Sequence, residues 1–210
     1  MEQEELSIIL EKHLKWLNDK EGGERANLQG VNLQDVNLQD ANLQYANLQD
    51  VKLRNANLQD ANLFGVCLRN ANLQGTNLQG TNLQDSNLQD SNLQDANLQD
   101  ANLQDANLQD ANLQDANLQG TNLQGTKLNR TIGNMIQVKS SQLDTWSITY
   151  TDTHLQIGCQ NHTIDEWKQF TDEQISVMDD EALEWWSKWK DSIFQIIELS
   201  PAEPTKALKE

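Results

Sequence analysis

The sequence predicts a mainly β solenoid with a helix before it and a small α+β segment after it. Three observations carry this. From Ala26 to Arg130 the chain consists of 21 uninterrupted five-residue units. Leucine holds the centre of every unit, from Leu28 to Leu128, and the residue two before it is always Ala, Val, Thr or Ser. Past Arg130 the leucine register stops and a tryptophan-rich patterning begins.

A period of five suits no straight element. At about 100° per residue a helix turns successive leucines by roughly 500°, smearing them around its circumference. In one long strand they alternate between faces, because five is odd and the side-chain period is two. A chain that bends once per unit escapes both problems. Within each short extended piece residues two apart share a face, so Ala26 and Leu28 both turn inward. Rungs stacked about 4.8 Å apart then pair their backbone groups with the rungs above and below.

The tandem A-N-L-x-x string over residues 26–130 resembles the pentapeptide-repeat family. That resemblance implies a right-handed quadrilateral β-helix with four units per coil, so the 21 units make just over five coils. The structural core is then the leucine stack, with Leu28, Leu48, Leu68, Leu88, Leu108 and Leu128 among its members. Asparagine before leucine is placed to stack its amide on the neighbouring coil. Lys52, Cys67 and Lys127 interrupt those ladders.

An open solenoid leaves apolar, unpaired ends that invite end-to-end association unless covered. Residues 1–25 read as the N-terminal capping helix. Over residues 3–18, Leu6, Ile9, Leu10, Leu14 and Leu17 recur at helical spacing, acids open the helix and Gly22-Gly23 ends it. His13 lies on or beside the apolar face and reads as a packing or rim residue in preference to a ligand.

Residues 131–199 read as a Trp-rich α+β domain. Trp146, Ile148 and Tyr150 alternate, then Leu155, Ile157 and Cys159, around an Asp152-Thr153 turn, which predicts a hairpin. Thr163 to Glu166 and Thr171 to Gln174 are capping-box patterns, each opening a short helix. A third helix starts near Asp179 to Glu181 and runs to about Leu199, with Ala182, Trp186, Trp189, Ile193, Ile196 and Ile197 on one face. Residues 200–210, with Pro201 and Pro204, read as a flexible tail.

Composition narrows the function. Fifteen Lys+Arg against 32 Asp+Glu give −17, a balance that repels nucleic-acid phosphates and anionic headgroups, so no direct nucleic-acid or membrane binding is expected. No apolar run reaches the roughly 18 residues of a membrane span. The N-terminus lacks a basic n-region, and two cysteines without framework spacing suit a reducing compartment. A cytoplasmic protein is expected.

Cys159 and His162, near His154 and Asp165, supply two ligands where structural zinc takes four, and a Cys-His dyad lacks an oxyanion donor in the sequence. They read as structural packing. No cofactor, metal or catalytic residue is expected.

The acidic repeats point two ways. The family that the chain resembles includes DNA mimics that bind type II topoisomerases, and Asp85, Asp90, Asp95, Asp100, Asp105, Asp110 and Asp115 fill seven consecutive units. Eleven aspartates against five basic residues, however, leave only −6 on the repeats, with −3 before and −8 after them. A solvated surface that discourages association is the commoner reason for such charge. Identical ANLQD units from Ala96 to Asp115 single out no residue. Tyr45, Lys52, Arg54, Phe64, Cys67 and Arg69 break the monotony in the manner of a contact surface, although Tyr45 and Phe64 differ in repeat phase and drift of the repeats is the alternative.

Trp146, Trp167, Trp185, Trp186 and Trp189 concentrate in one segment, either as core anchors or as a protein-contact surface. The string IGCQNHTIDEW followed by ALEWWSKW resembles a terminal segment of some bacterial and phage-encoded members of the same family. The expectation is a non-enzymatic interaction scaffold or rigid spacer about 25 Å long, bacterial or phage-encoded. Its contacts with an unnamed protein partner, homodimerisation included, run through the C-terminal domain. The alternatives are a DNA mimic that binds a topoisomerase or another DNA-handling enzyme through the rod, and a small-ligand or enzymatic C-terminal domain.

Overall fold

Parallel backbone bridges in the repeat region join residues twenty apart, beginning with Asn27 to Asn47 and ending with Asn112 to Ile132. The computed structural model describes residues 3–205. Each leucine N–H from Leu28 to Leu113 donates to the following coil, as Leu28 does to the Asn47 carbonyl at 2.7 Å, and Asn47 N–H returns a bond to the Ala26 carbonyl at 3.0 Å. The chain bends at the last residue of every unit, where φ lies between 55° and 75°. Four bends per twenty residues make a four-sided coil. We name its sides A to D, starting from Ala26, Val31, Val36 and Ala41.

The inward positions are as expected. Leu28, Leu48, Leu68, Leu88, Leu108 and Leu128 are buried together with their neighbours in one continuous stack. The inward threonines do not leave hydroxyls stranded. Thr76, Thr81, Thr121 and Thr126 donate to the Leu53, Leu58, Leu98 and Leu103 carbonyls of the preceding coil at 2.8–2.9 Å. A buried hydroxyl without such a bond would cost about 1–3 kcal/mol.

The coil runs one unit past Arg130. Ile132 bridges Asn112, Thr131 donates to the Leu108 carbonyl at 2.7 Å, and Met135 takes the corner conformation at φ 60°. Gly133 occupies the leucine slot, and a Cβ there would lie 2.0 Å from the Val138 carbonyl oxygen. The chain therefore folds back over its own last unit, and fully buried Val138 joins the leucine stack. Asn134 fixes this turn: its Oδ1 accepts from the Ile136, Gln137 and Val138 N–H groups, and its Nδ2 donates to the Ala116 carbonyl.

At the other end lies α1 (Gln3–Leu17). Leu6 is buried, Ile9 and Leu10 pack on the stack, and His13 is fully buried. Leu14, expected inside, is 53% exposed. The apolar arc is centred on Leu6, Leu10 and His13, which turns Leu14 outward. The helix stop also differs from expectation. Asp19, at φ 51°, caps it in the left-handed conformation, with Lys20 N–H bonded to the Lys15 carbonyl and Asp19 N–H to the Trp16 carbonyl. Gly23 serves a later turn, where a Cβ would lie 2.4 Å from the Trp16 backbone nitrogen.

Beyond the coil the predicted hairpin is the centre of a four-stranded antiparallel meander, β1 (Lys139–Leu143), β2 (Trp146–Tyr150), β3 (His154–Ile157) and β4 (Gln160–Thr163), in sequence order. The outer strands were illegible because KSSQL and QNHT carry almost no apolar alternation. Three helices follow, α2 (Ile164–Gln169), α3 (Asp172–Ser176) and α4 (Ala182–Leu199). Thr163 and Thr171 both form the predicted capping boxes. Sheet and helices share a second core.

The predicted tail is held as far as it is described. Ser200 accepts the Tyr150 hydroxyl proton at 2.8 Å, and Glu203 N–H donates to the Ile136 carbonyl at 2.9 Å. Thr205 accepts from Gly120 N–H. Residues 206–210 of that segment, and residues 1–2 of the N-terminal one, lie outside the described residues. No helix among the described residues is long and apolar enough to cross a membrane.

Candidate interaction surfaces

The rod offers its four sides and corners. At the corners an L-residue must hold a left-handed backbone, which costs roughly 1–2 kcal/mol except for Gly and, with local hydrogen bonds, Asn or Asp. That constraint gives the aspartates a structural reason to be there, and it is the feature that sequence reasoning missed. The signal was present: the fifth position of the units is Gly, Asp or Asn apart from Tyr45 and Arg130.

Asp85, Asp90, Asp95, Asp100, Asp105, Asp110 and Asp115 stand at successive corners, so they wind around the rod instead of lining one side. Several bond locally, as Gln104 Nε2 does to Asp105 and Gln109 Nε2 to Asp110, both at 3.1 Å. Two arginines bound the belt. Arg130 makes a paired contact with Asp110 at 2.5 and 2.8 Å, and Arg69 stands 3.8 Å from Asp90. The guanidinium bond from Arg130 holds the Asp110 carboxyl below its ordinary range.

On the flat sides, asparagine amides stack between coils. Side C carries an unbroken run, Asn117 to Asn97 to Asn77 to Asn57 to Asn37, each amide donating to the preceding oxygen at 3.1–3.2 Å. Cys67 and Lys127 interrupt side A, and Lys52 interrupts side B.

The irregular residues do not form one patch. Tyr45 and Phe64 meet on side D edge to face, with centroids 5.4 Å apart, because 19 residues is one coil less one position. Gly65 makes room for them, since a Cβ there would lie 2.7 Å from the Tyr45 ring. Lys52 and Arg54 lie on side B, opposite, and Cys67 and Arg69 on side A.

The five C-terminal tryptophans build the second core. Trp167, Trp185 and Trp186 are buried, and Trp146 and Trp189 are half-buried around them. The Trp167 and Trp185 indoles donate to the Leu155 and Leu143 carbonyls at 2.7 and 3.1 Å. Side chains so enclosed present little contact area. His162 packs edge-on against Trp167 and Phe170. Among the described residues no group of three or more His, Cys, Asp or Glu side chains could hold a metal ion.

The second core sits on the last coil through two side chains of the sheet. Gln156 Oε1 accepts the Leu128 N–H at 2.7 Å, and Asn161 donates to the Thr126 carbonyl at 3.4 Å. A cleft of about 470 Å³ remains between them, walled by unit 121–125 and by Thr149, Asp152 and His154. Its buried Thr149 hydroxyl has no partner among the described residues.

Two family models match the chain: pentapeptide repeat region over residues 62–143, and pentapeptide repeats (8 copies) over residues 24–60. Among solved structures, the chain is similar to Rfr23, a pentapeptide repeat protein from the cyanobacterium Cyanothece 51142, at 34% identity over 52% of this chain and 86% of that one, with a TM-score of 0.49. It is similar to alr5209, a pentapeptide repeat protein from Nostoc Pcc 7120, at 38% identity over 40% and 67% of the two chains, with a TM-score of 0.37. QnrB1, a plasmid-mediated fluoroquinolone resistance protein, matches at 16% identity over 51% and 68%, with a TM-score of 0.26. No curated protein matches.

Proposed function

The chain belongs to the pentapeptide-repeat family, and we propose that within it this protein is a non-enzymatic interaction scaffold, a right-handed four-sided β-helix whose sides meet a protein partner. One observation carries the reading: both ends of the rod are covered by the chain itself. Helix α1 closes the first coil, and the Asn134 turn with the sheet closes the last. With the ends occupied, the sides are the extended surface left for contact. They are saturated with short polar groups locked to the backbone, a rigid surface that loses little conformational entropy on binding.

A second reading, mimicry of DNA toward a basic protein, is favoured by the aspartate belt. Seven charges over about 8 Å of rod axis, one per about 1.2 Å, are denser than the duplex's one per about 1.7 Å. The belt's length is against it, because about 8 Å spans only two or three base-pair steps. Side contact in general therefore ranks first.

The test is affinity capture from a lysate of the source organism, with the natural chain and with a variant carrying Asp→Asn at all seven belt positions. Asparagine tolerates the corner conformation, so the fold persists. A partner held equally by both supports contact through the sides without the charges. A basic partner lost from the variant, and displaced by DNA, moves the reading to mimicry. Failure of both proteins to hold any partner contradicts the scaffold reading.

A further inference from the structure

The C-terminal core contains a small cavity of about 60 Å³ that the scaffold reading does not use. Four of the chain's six tryptophans line it: Trp146 from β2, Trp167 from α2, and Trp185 and Trp186 from α4. They come as two inclined pairs. Trp146 and Trp185 have centroids 5.1 Å apart at 63°, and Trp167 and Trp186 lie 5.1 Å apart at 38°. Aliphatic side chains, Ile175 and Met178 among them, and Gln160 share the lining, and Cys159 and Asp179, both exposed, also line it.

Asp179 is the one charged side chain in the lining. Its Oδ1 accepts the Glu181 N–H at 3.0 Å, and no ion pair among the described residues includes it. An indole wall beside an unpaired carboxylate restricts the occupant. A plain hydrocarbon has no use for the charge. A hydrated metal ion has no use for indole faces. An ammonium or guanidinium group brings several N–H donors, and one carboxylate oxygen cannot satisfy them. A quaternary ammonium group has apolar methyls, a spread positive charge and no donors, so it suits both features.

Helix α4 already sets cations against indoles: Lys190 Nζ lies 5.7 Å from the Trp186 ring and Lys188 Nζ 5.1 Å from the Trp189 ring.

We propose that this cavity binds the trimethylammonium group of a small solute, with Trp146, Trp167, Trp185 and Trp186 as the cage and Asp179 as its counter-charge. Cys159, at the rim, reports on occupancy.

The experiment titrates the full chain with choline, with N-trimethyllysine and with 3,3-dimethylbutan-1-ol, the neutral carbon isostere of choline. Tryptophan fluorescence and the alkylation rate of Cys159, read by peptide mass to separate it from Cys67, are the two signals. Saturable quenching and slowed alkylation by choline or trimethyllysine, with the isostere at least about tenfold weaker, is the expected result. The choice between the two cations identifies the source of the head group. Asp179→Asn keeps the acceptor for Glu181 N–H and removes only the charge. It should weaken the cation by about tenfold and leave the isostere unchanged. Equal affinity for choline and the isostere, an unaffected Asp179→Asn variant, or no saturable response to either cation overturns the proposal.

Discussion

The N–H of Ala26, the first inward residue of the rod, donates to Nδ1 of His13 at 3.1 Å. This bond joins the capping helix to the first coil and requires an unprotonated Nδ1. The imidazole is buried, with Trp16 stacked on it at 5.5 Å. Burial holds its pKa below the ordinary value, with the Gln44 backbone acting in the opposite direction.

The sign of the pH effect follows. The unfolded chain takes up a proton near pH 6.5 and the folded chain only at lower pH, so the stabilisation is complete above about 6.5 and is lost as pH falls below it. The protection of the Ala26 amide, relative to its intrinsic exchange rate at each pH, should fall as pH drops below about 6.5 while that of the mid-rod Leu88 amide holds. His13→Phe should abolish this pH dependence and cost about 1–3 kcal/mol for the unpaired Ala26 N–H. Thermal melting across the pH range measures both.

Corner chemistry gives a second prediction. Asp95→Asn should leave the melting temperature nearly unchanged, whereas Asp95→Ala should destabilise the rod by about 1 kcal/mol, because Ala has no local hydrogen bond to offset its left-handed backbone. Chemical denaturation of the two variants decides it. A larger loss from Asn than from Ala would mean that the charge, and not the conformation, selects the residue.

The interrupted ladder on side A predicts a stabilising change. Cys67→Asn would place an amide between Asn47 and Asn87, completing a run that side C already has. Two added bonds in a half-buried setting should raise stability by about 1 kcal/mol. Asn77→Ala, inside the intact run, should lose a similar amount. Equilibrium unfolding of both compares the gain with the loss.

Gly65 and Tyr45 form a coupled pair. Gly65→Ala introduces both a left-handed Ala and a Cβ within 2.7 Å of the Tyr45 ring, so it should destabilise by about 1–3 kcal/mol. Removing the ring with Tyr45→Ala should relieve the steric part, and a double-mutant cycle should read a coupling of at least about 0.5 kcal/mol.

Much of this architecture was legible because the period forces it. Leu28 to Leu128 could share an interior only if the chain bent once per unit, and that inference needed no structure. The corner conformation was equally encoded in the Gly, Asp and Asn of the fifth position, but the acids were read as charge before backbone. What stayed hidden was long-range. Gln156 caps Leu128 from 28 residues away, and Gly133 takes a leucine slot because Val138 returns over it. Neither residue has a local pattern that announces its partner. Tyr45 and Phe64 looked out of phase for the same reason, since their meeting depends on the coil length.

The claim that the sides of the rod are the working surface is tested most directly by photo-crosslinking in cells. A crosslinking residue is placed at Gln89 or Gln104 on the sides, and, in separate proteins, at Ile8 on the outer face of α1. Crosslinks from the side positions to one shared protein, absent from the Ile8 position, are the expected result. Crosslinks from Ile8 alone, or to a second copy of the chain through its ends, would contradict it.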